Sequence, residues 1–138
     1  ELLCKQDYDI LMPDIKYCGG ITEAVNISKI VASYGKTTSI HSPSGPVSLL
    51  SSAYTTLALS NPGVLEHAVY ESPWRHDILD PPESIVGGQM LLPPGIGFAA
   101  NLNKKTVSKY GMSLQVWTIS KTPLHWQTLS IQVYFSVA

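Results

Sequence analysis

Two apolar runs, each ending in an ionisable residue and each followed by a turn and a helical pattern, limit the folds open to this chain more than any other feature. Asp9-Ile10-Leu11-Met12-Pro13-Asp14 leads through Cys18-Gly19-Gly20 into residues 21–34, which reads as strand, loop and helix. In that helix Ile21, Ala24, Val25, Ile27, Ile30, Val31 and Tyr34 mostly follow the i, i+3, i+4 rhythm of one buried face. Thr22 and Glu23 suit its first turn and Gly35 its stop. Thr37-Thr38-Ser39-Ile40-His41 is rich in β-branched residues and runs into the turn-prone loop Ser42-Pro43-Ser44-Gly45-Pro46. Residues 47–59 are apolar and rich in small side chains, closed by Ser60-Asn61-Pro62-Gly63, and predict a second buried helix despite Val47, Thr55 and Thr56. Val64-Leu65-Glu66-His67-Ala68-Val69-Tyr70 then reads as a third strand.

Alternating strands and helices of this kind predict the α/β class, with parallel strands joined by right-handed crossovers, in a doubly wound sheet or a barrel. In both architectures ligands gather at the C-terminal ends of the strands, where Asp14, His41 and Glu66 are expected. Histidine exchanges a proton readily near neutrality, so His41 with a carboxylate one strand away is a candidate general base held in orientation by the acid. A hydrogen-bonded structural histidine is the alternative reading of the same pattern.

A formal net charge of -1 with scattered Lys and Arg provides no basic stripe, so nucleic acid is not an expected partner. The apolar runs are shorter than the roughly 18–20 residues of a membrane span, and Glu1-Leu2-Leu3-Cys4-Lys5 lacks the basic flank of a leader. No membrane association and a cytoplasmic location are therefore the expectations. Cys4 and Cys18 form neither a CxxC pair nor a Cys/His cluster, which predicts reduced thiols rather than zinc or a disulfide. Asn26-Ile27-Ser28 matches a glycosylation acceptor but falls inside a predicted helix, and Cys18-Gly19-Gly20 lacks the GxGxxG and Walker patterns that cradle phosphates.

From residue 71 to 97 the chain is rich in Pro and Gly, including Pro81-Pro82 and Pro93-Pro94-Gly95, and long regular elements are not expected. Trp74, Ile85, Val86 and Leu91-Leu92 nevertheless mark it as an ordered wrapping segment rather than a linker. Toward the C-terminus, Leu129-Ser130-Ile131-Gln132-Val133-Tyr134 alternates as a strand does.

The string Met12-Pro13-Asp14-Ile15-Lys16-Tyr17-Cys18-Gly19-Gly20-Ile21-Thr22-Glu23 resembles the sixth barrel strand and loop of the mandelate racemase/muconate lactonizing enzyme branch of the enolase superfamily. Tyr34-Gly35 followed by Ile40-His41-Ser42-Pro43-Ser44-Gly45-Pro46-Val47-Ser48 resembles its seventh strand, and Asn61-Pro62 leading to Val64-Leu65-Glu66 its eighth. Pro73-Trp74-Arg75, Gly87-Gly88 and Pro93-Pro94-Gly95-Ile96-Gly97 are similar to its acid-sugar, galactonate-type dehydratases. The resemblance runs from about Asp9 to Gly111. It implies the last three strands of a modified (β/α)7β TIM-type barrel plus a C-terminal wrapping segment, over residues 1–110, with 111–138 a divergent tail.

What the resemblance implies about activity is a Mg²⁺-dependent lyase. It removes the proton next to a sugar acid's carboxylate and eliminates water to give a 2-keto-3-deoxy acid. His41 is then the acid/base group, Asp14 its partner, and Glu66 a hydrogen-bonding carboxylate at the substrate. Ser44 and Trp74 are the implied substrate contacts. The family's metal carboxylates fall on earlier strands, upstream of Glu1, and Glu66, Asp77, Asp80 and Glu83 do not replace them in position. The chain alone is therefore expected to bind no metal and to be inactive. Its expected partners are a small sugar acid and either the missing N-terminal barrel portion or further copies of itself. A racemase or epimerase of the same superfamily, and a noncatalytic remnant or assembly module, are the alternatives.

Overall fold

Parallel pairing of the first two apolar runs sets the frame of the structure, a computed structural model that describes residues 8–69 and 72–110. Strand β1 (Ile10–Leu11) lies beside β2 (Thr37–Thr38), with Ile10 opposite Thr37 and Leu11 opposite Thr38. Backbone bonds carry the ladder past both assigned strands: the amides of Thr37, Ser39 and His41 donate to the carbonyls of Asp9, Leu11 and Pro13 at 3.1, 3.0 and 3.0 Å. Both strands are therefore longer in hydrogen bonding than in regular backbone geometry, as the sequence patterns over 9–14 and 37–41 predict.

The crossover between them is helix α1 (Ile21–Ser33). Gly19 and Gly20 precede it with φ of 105° and 88°, a region open to glycine and costly for residues with a Cβ. At Gly19 an added Cβ would also stand 3.2 Å from the Glu23 Cβ, so the turn into the helix needs that glycine twice over. The buried stripe of α1 is Ala24, Ser28 and Val31, while Ile21, Ile30 and Tyr34 are exposed. The stripe is narrower than the apolar periodicity suggests, and Ser28 is tolerated in it because its hydroxyl donates to the Val25 carbonyl at 2.7 Å.

Helix α2 (Pro46–Leu57) starts on Pro46, whose fixed φ and missing amide suit a first helical position. Its inner face carries Leu49, Leu50 and Ala53 together with Ser51, Ser52 and Thr55. Ser51, Thr55 and Thr56 donate back to the carbonyls of Val47, Ser51 and Ser52 at 2.9, 2.8 and 2.8 Å, which is how hydroxyl side chains enter a buried helix face. The core beneath both helices is Ile15, Ala24, Ile40 and Leu59, with Cys18, Val25 and Leu65 packed against it.

The expected third strand over 64–70 is corrected by the structure: residues 64–69 form no regular strand, and Tyr70 lies outside the described residues. Pairing is limited to a parallel bridge between Thr38 and Pro62, where the Thr38 amide donates to Asn61 at 2.9 Å and Gly63 returns a bond to Thr38 at 2.7 Å. Beyond it the Ser39 hydroxyl takes the Val64 carbonyl in place of a backbone partner. The apolar run has strand composition, but among the described residues no second strand flanks it to complete a ladder.

The wrapping segment follows: a 3-10 turn at Arg75–Asp77, β3 (Leu79–Asp80), β4 (Ser84–Val86), β5 (Gln89–Leu91), β6 (Asn101–Leu102) and α3 (Lys104–Tyr110). β4 and β5 form a hairpin, and β3 pairs antiparallel with β6. Arg75 grips Glu83 with two bonds, Nε to Oε1 at 2.7 Å and Nη2 to Oε2 at 3.2 Å, and the Tyr54 hydroxyl donates to the Pro93 carbonyl at 2.9 Å. The segment is ordered without long elements, as its composition predicts. No helix among the described residues is long and apolar enough to cross a membrane. Cys18 is a free thiol, whereas Cys4 and the whole tail 111–138 lie outside the described residues.

Ile40 is fully buried in the core whereas Val64 is 88% exposed. Ile40→Ala is expected to cost about 2–5 kcal/mol in urea unfolding, and Val64→Ala to stay within about 0.5 kcal/mol of the wild type. Equal effects from the two would contradict this assignment of the core.

Candidate functional site

The ladder between β1 and β2 determines where the polar strand ends meet. Pro13 can accept the His41 amide but has no amide of its own, so the pairing stops there and the chain turns. The turn is closed by the Asp14 carbonyl, which accepts the amides of Tyr17 and Cys18 at 3.0 and 2.9 Å. The Asp14 side chain accepts the Lys16 amide on Oδ1 at 2.8 Å, the local bond by which aspartate commonly fixes a turn two residues on.

His41 ends the second strand, and its Nδ1 lies 2.6 Å from Glu66 Oε2. The same carboxylate oxygen accepts the Ser42 amide at 3.0 Å. Glu66 is thereby held by two groups of adjoining residues, and His41 is fixed through Nδ1 with Nε2 left to face elsewhere. Both side chains are partly exposed, 44% for His41 and 38% for Glu66, so a solute can reach the pair.

Asp14 is buried, and its partner is Lys16 rather than His41. Lys16 Nζ stands 3.4 Å from Asp14 Oδ2 and donates a hydrogen bond to the Ser44 hydroxyl. The expected Asp14–His41 pair is thus replaced by two pairs, His41–Glu66 and Asp14–Lys16. The physical reason lies in the turn: once Oδ1 caps the Lys16 amide, the lysine's own chain brings its ammonium back to the second oxygen.

Ser44 is therefore placed beside the site, as the acceptor of Lys16. Trp74 stacks its ring on Tyr110 of α3, with centroids 5.1 Å apart at 8°. No hydrogen bond or ring contact joins Trp74 to His41, Glu66 or Asp14 among the described residues. Lys16 is the site residue that pattern reading missed. Its signal was present in Asp14-Ile15-Lys16, an aspartate able to cap a turn two residues on, but the contact to Ser44 spans 28 positions and leaves no local trace.

The arrangement can take or give a proton at His41 Nε2 while Glu66 holds the ring through Nδ1. It does not offer a metal cradle: among the described residues no three His, Cys, Asp or Glu side chains come together as ligands. The oxygens of Asp14 face Lys16, and one oxygen of Glu66 is shared by His41 and Ser42.

A family model described as Enolase C-terminal domain-like matches residues 1–106. Among curated proteins the chain is similar to a D-xylonate dehydratase of Haloferax volcanii, 31% identical over 74% of this chain and 25% of that protein. It is also similar to an L-rhamnonate dehydratase of Saccharopolyspora erythraea, 33% identical over 69% of this chain and 25% of that protein. The chain thus spans a quarter of the length of these relatives. Among solved structures it superposes on a mandelate racemase/muconate lactonizing enzyme-like protein from Rubrobacter xylanophilus with a TM-score of 0.73 and 27% identity, over 81% of this chain and 29% of that one. An enolase of the mandelate racemase subgroup from Agrobacterium tumefaciens gives a TM-score of 0.68 at 27% identity, over 78% and 29%.

A hydrogen bond from a half-buried amide to a carboxylate contributes about 1 kcal/mol or somewhat more. Glu66→Ala is accordingly expected to speed hydrogen exchange of the Ser42 amide about fivefold or more, with Glu66→Gln, which keeps an acceptor oxygen, affecting it less. An unchanged Ser42 rate in Glu66→Ala would show that the carboxylate does not hold that amide.

Proposed function

The chain belongs to the Enolase C-terminal domain-like family, and we propose that the protein carrying it is a sugar-acid dehydratase in which His41 moves the proton while Glu66 holds its ring. The observation that carries this reading is the 2.6 Å contact of His41 Nδ1, at the end of the second strand, with Glu66. The dehydratase names of the curated relatives support the reaction class.

His41 Nε2 takes the proton from the carbon next to the substrate carboxylate, and the electron pair of that C–H bond moves onto the carboxylate. The resulting imidazolium is stabilised by the Glu66 charge at Nδ1. When the electrons return, the bond to the hydroxyl on the next carbon breaks, and the imidazolium supplies the proton that lets it depart as water. The enol left behind becomes the 2-keto-3-deoxy acid. A carbon acid is weak, so positioned hydrogen-bond donors or cations must hold the developing oxyanion. The resemblance assigns that task to Mg²⁺, but the residues described do not fit a magnesium site.

A racemase or epimerase is the second reading, favoured by the mandelate racemase names among the structural relatives. Both reactions begin with the same proton removal and differ in product.

The intact polypeptide that carries this sequence, given a panel of aldonates in D₂O, is expected to form keto acid with deuterium on the carbon that lost the hydroxyl, and to exchange for deuterium the hydrogen next to the carboxylate of unreacted substrate. His41→Asn should lower both by about 10²–10⁴-fold. Exchange retained in His41→Asn would remove the histidine from this role, and an epimer without keto acid would select the racemase reading. No turnover or exchange with any aldonate would leave the noncatalytic assembly module in place of both.

A further inference from the structure

Glu66 and His67 are chain neighbours in different surroundings. Glu66 meets His41, whereas His67 lines a cavity of about 220 Å³ formed by three elements. Leu49 of α2 supplies one wall, Leu65 and His67 of the segment after Gly63 a second, and Ile85 and Met90 of the β4–β5 hairpin a third. Ile85 and Met90 stand opposite each other in the hairpin register, so both side chains leave the same face of the ribbon. At the turn Gly88 adds lining without bulk, and a Cβ there would meet nothing within 4 Å.

One polar atom of these apolar walls lacks a partner. His67 Nε2 is buried and makes no hydrogen bond among the described residues. Glu83 Oε1 stands 4.0 Å away, beyond the range of a direct bond. That oxygen accepts Arg75 Nε at 2.7 Å, which matches its charge and leaves it able to accept a second donor. A gap of this width suits one bridging oxygen, placed at ordinary hydrogen-bond distance from both groups.

We infer that the cavity is a binding site for a small uncharged hydroxy compound with an apolar body, of which phenol is the simplest form. The hydroxyl bridges His67 Nε2 and Glu83 Oε1, and the ring lies among Leu49, Leu65, Ile85 and Met90. In the tautomer that carries the proton on Nε2, the hydroxyl accepts from the imidazole and donates to the carboxylate. The orphaned nitrogen is thereby satisfied and no charge is desolvated. An apolar cavity of roughly 150 Å³ is enough for benzene, so the space suffices for a substituted ring. A sugar acid does not suit it: its carboxylate would face Glu83, and its remaining hydroxyls would be buried against apolar walls without partners. The cavity is thus separate from the site at His41, and its occupancy does not depend on the reaction there.

The test is a titration of the intact polypeptide, labelled with ¹³C-methyl methionine, with phenol and with toluene. The Met90 methyl signal is assigned by its loss in Met90→Leu. Phenol at roughly millimolar concentration is expected to shift it saturably, while the methyl of Met12, which does not line the cavity, stays in place. His67→Leu should weaken phenol about fivefold or more and leave toluene as tight or tighter. Ile85→Trp, at a position 39% exposed, should fill the cavity and abolish both shifts without disturbing the core. The absence of a saturable shift would leave water as the occupant and overturn the inference. It is equally overturned if His67→Leu spares phenol or weakens both compounds alike, or if the shift survives Ile85→Trp. Should His67→Leu not fold, phenol against anisole in the wild type decides: anisole has no proton to give Glu83 and must bind more weakly, and equal or tighter binding overturns the inference.

Discussion

The parallel ladder between residues 9–13 and 37–41 is what the remaining structure depends on. It requires the crossover through α1, it buries Ile40 in the core, and it determines where the two strand ends stop relative to each other. Its end is chemical as well as geometric. Pro13 has no amide to continue the pairing, so the chain leaves the sheet at the residue before Asp14, one position from His41 on the neighbouring strand. The polar groups of the site sit at the strand ends because backbone pairing ceases there and side chains must supply the missing partners.

The segment after Gly63 shows the same substitution carried further. Backbone pairing lasts for one bridge at Pro62, after which the Ser39 hydroxyl holds the Val64 carbonyl and the Glu66 carboxylate holds the Ser42 amide. A side chain that orients the imidazole is thus also one of the groups that keep this segment against β2. Fold and site cannot be tuned independently at Glu66: any change that frees the carboxylate for a substrate also releases an amide of the neighbouring loop.

Local signals account for what the sequence made legible. The periodicity of residues 21–34 and the apolar, small-residue run over 47–59 predict α1 and α2 to within a few residues, and the β-branched run before His41 predicts its strand. The third strand was not recoverable, because composition states that a segment suits a sheet and not whether a partner flanks it. The same distinction runs through the site. His41 and Glu66 could be placed at strand ends from pattern and resemblance, but the choice between Asp14 and Glu66 as the histidine's partner depends on how Lys16 folds back over two residues. Side-chain pairing across 24 to 28 positions, as in Ser42–Glu66 and Lys16–Ser44, leaves no trace in periodicity.

The wrapping segment closes mainly on itself, through the pairing of β3 with β6 and the stacking of Trp74 on Tyr110. One approach of the segment to the site lies at the peptide unit between Glu66 and His67. Successive side chains of an extended backbone point to opposite sides, and here Glu66 faces His41 while His67 Nε2 stands 4.0 Å from Glu83 Oε1. Glu83 is in turn gripped by Arg75 through two bonds, the firmest ionic contact of the segment. Glu66 and His67 thus address different parts of the structure, the first the loop after β2 and the second the Arg75–Glu83 pair.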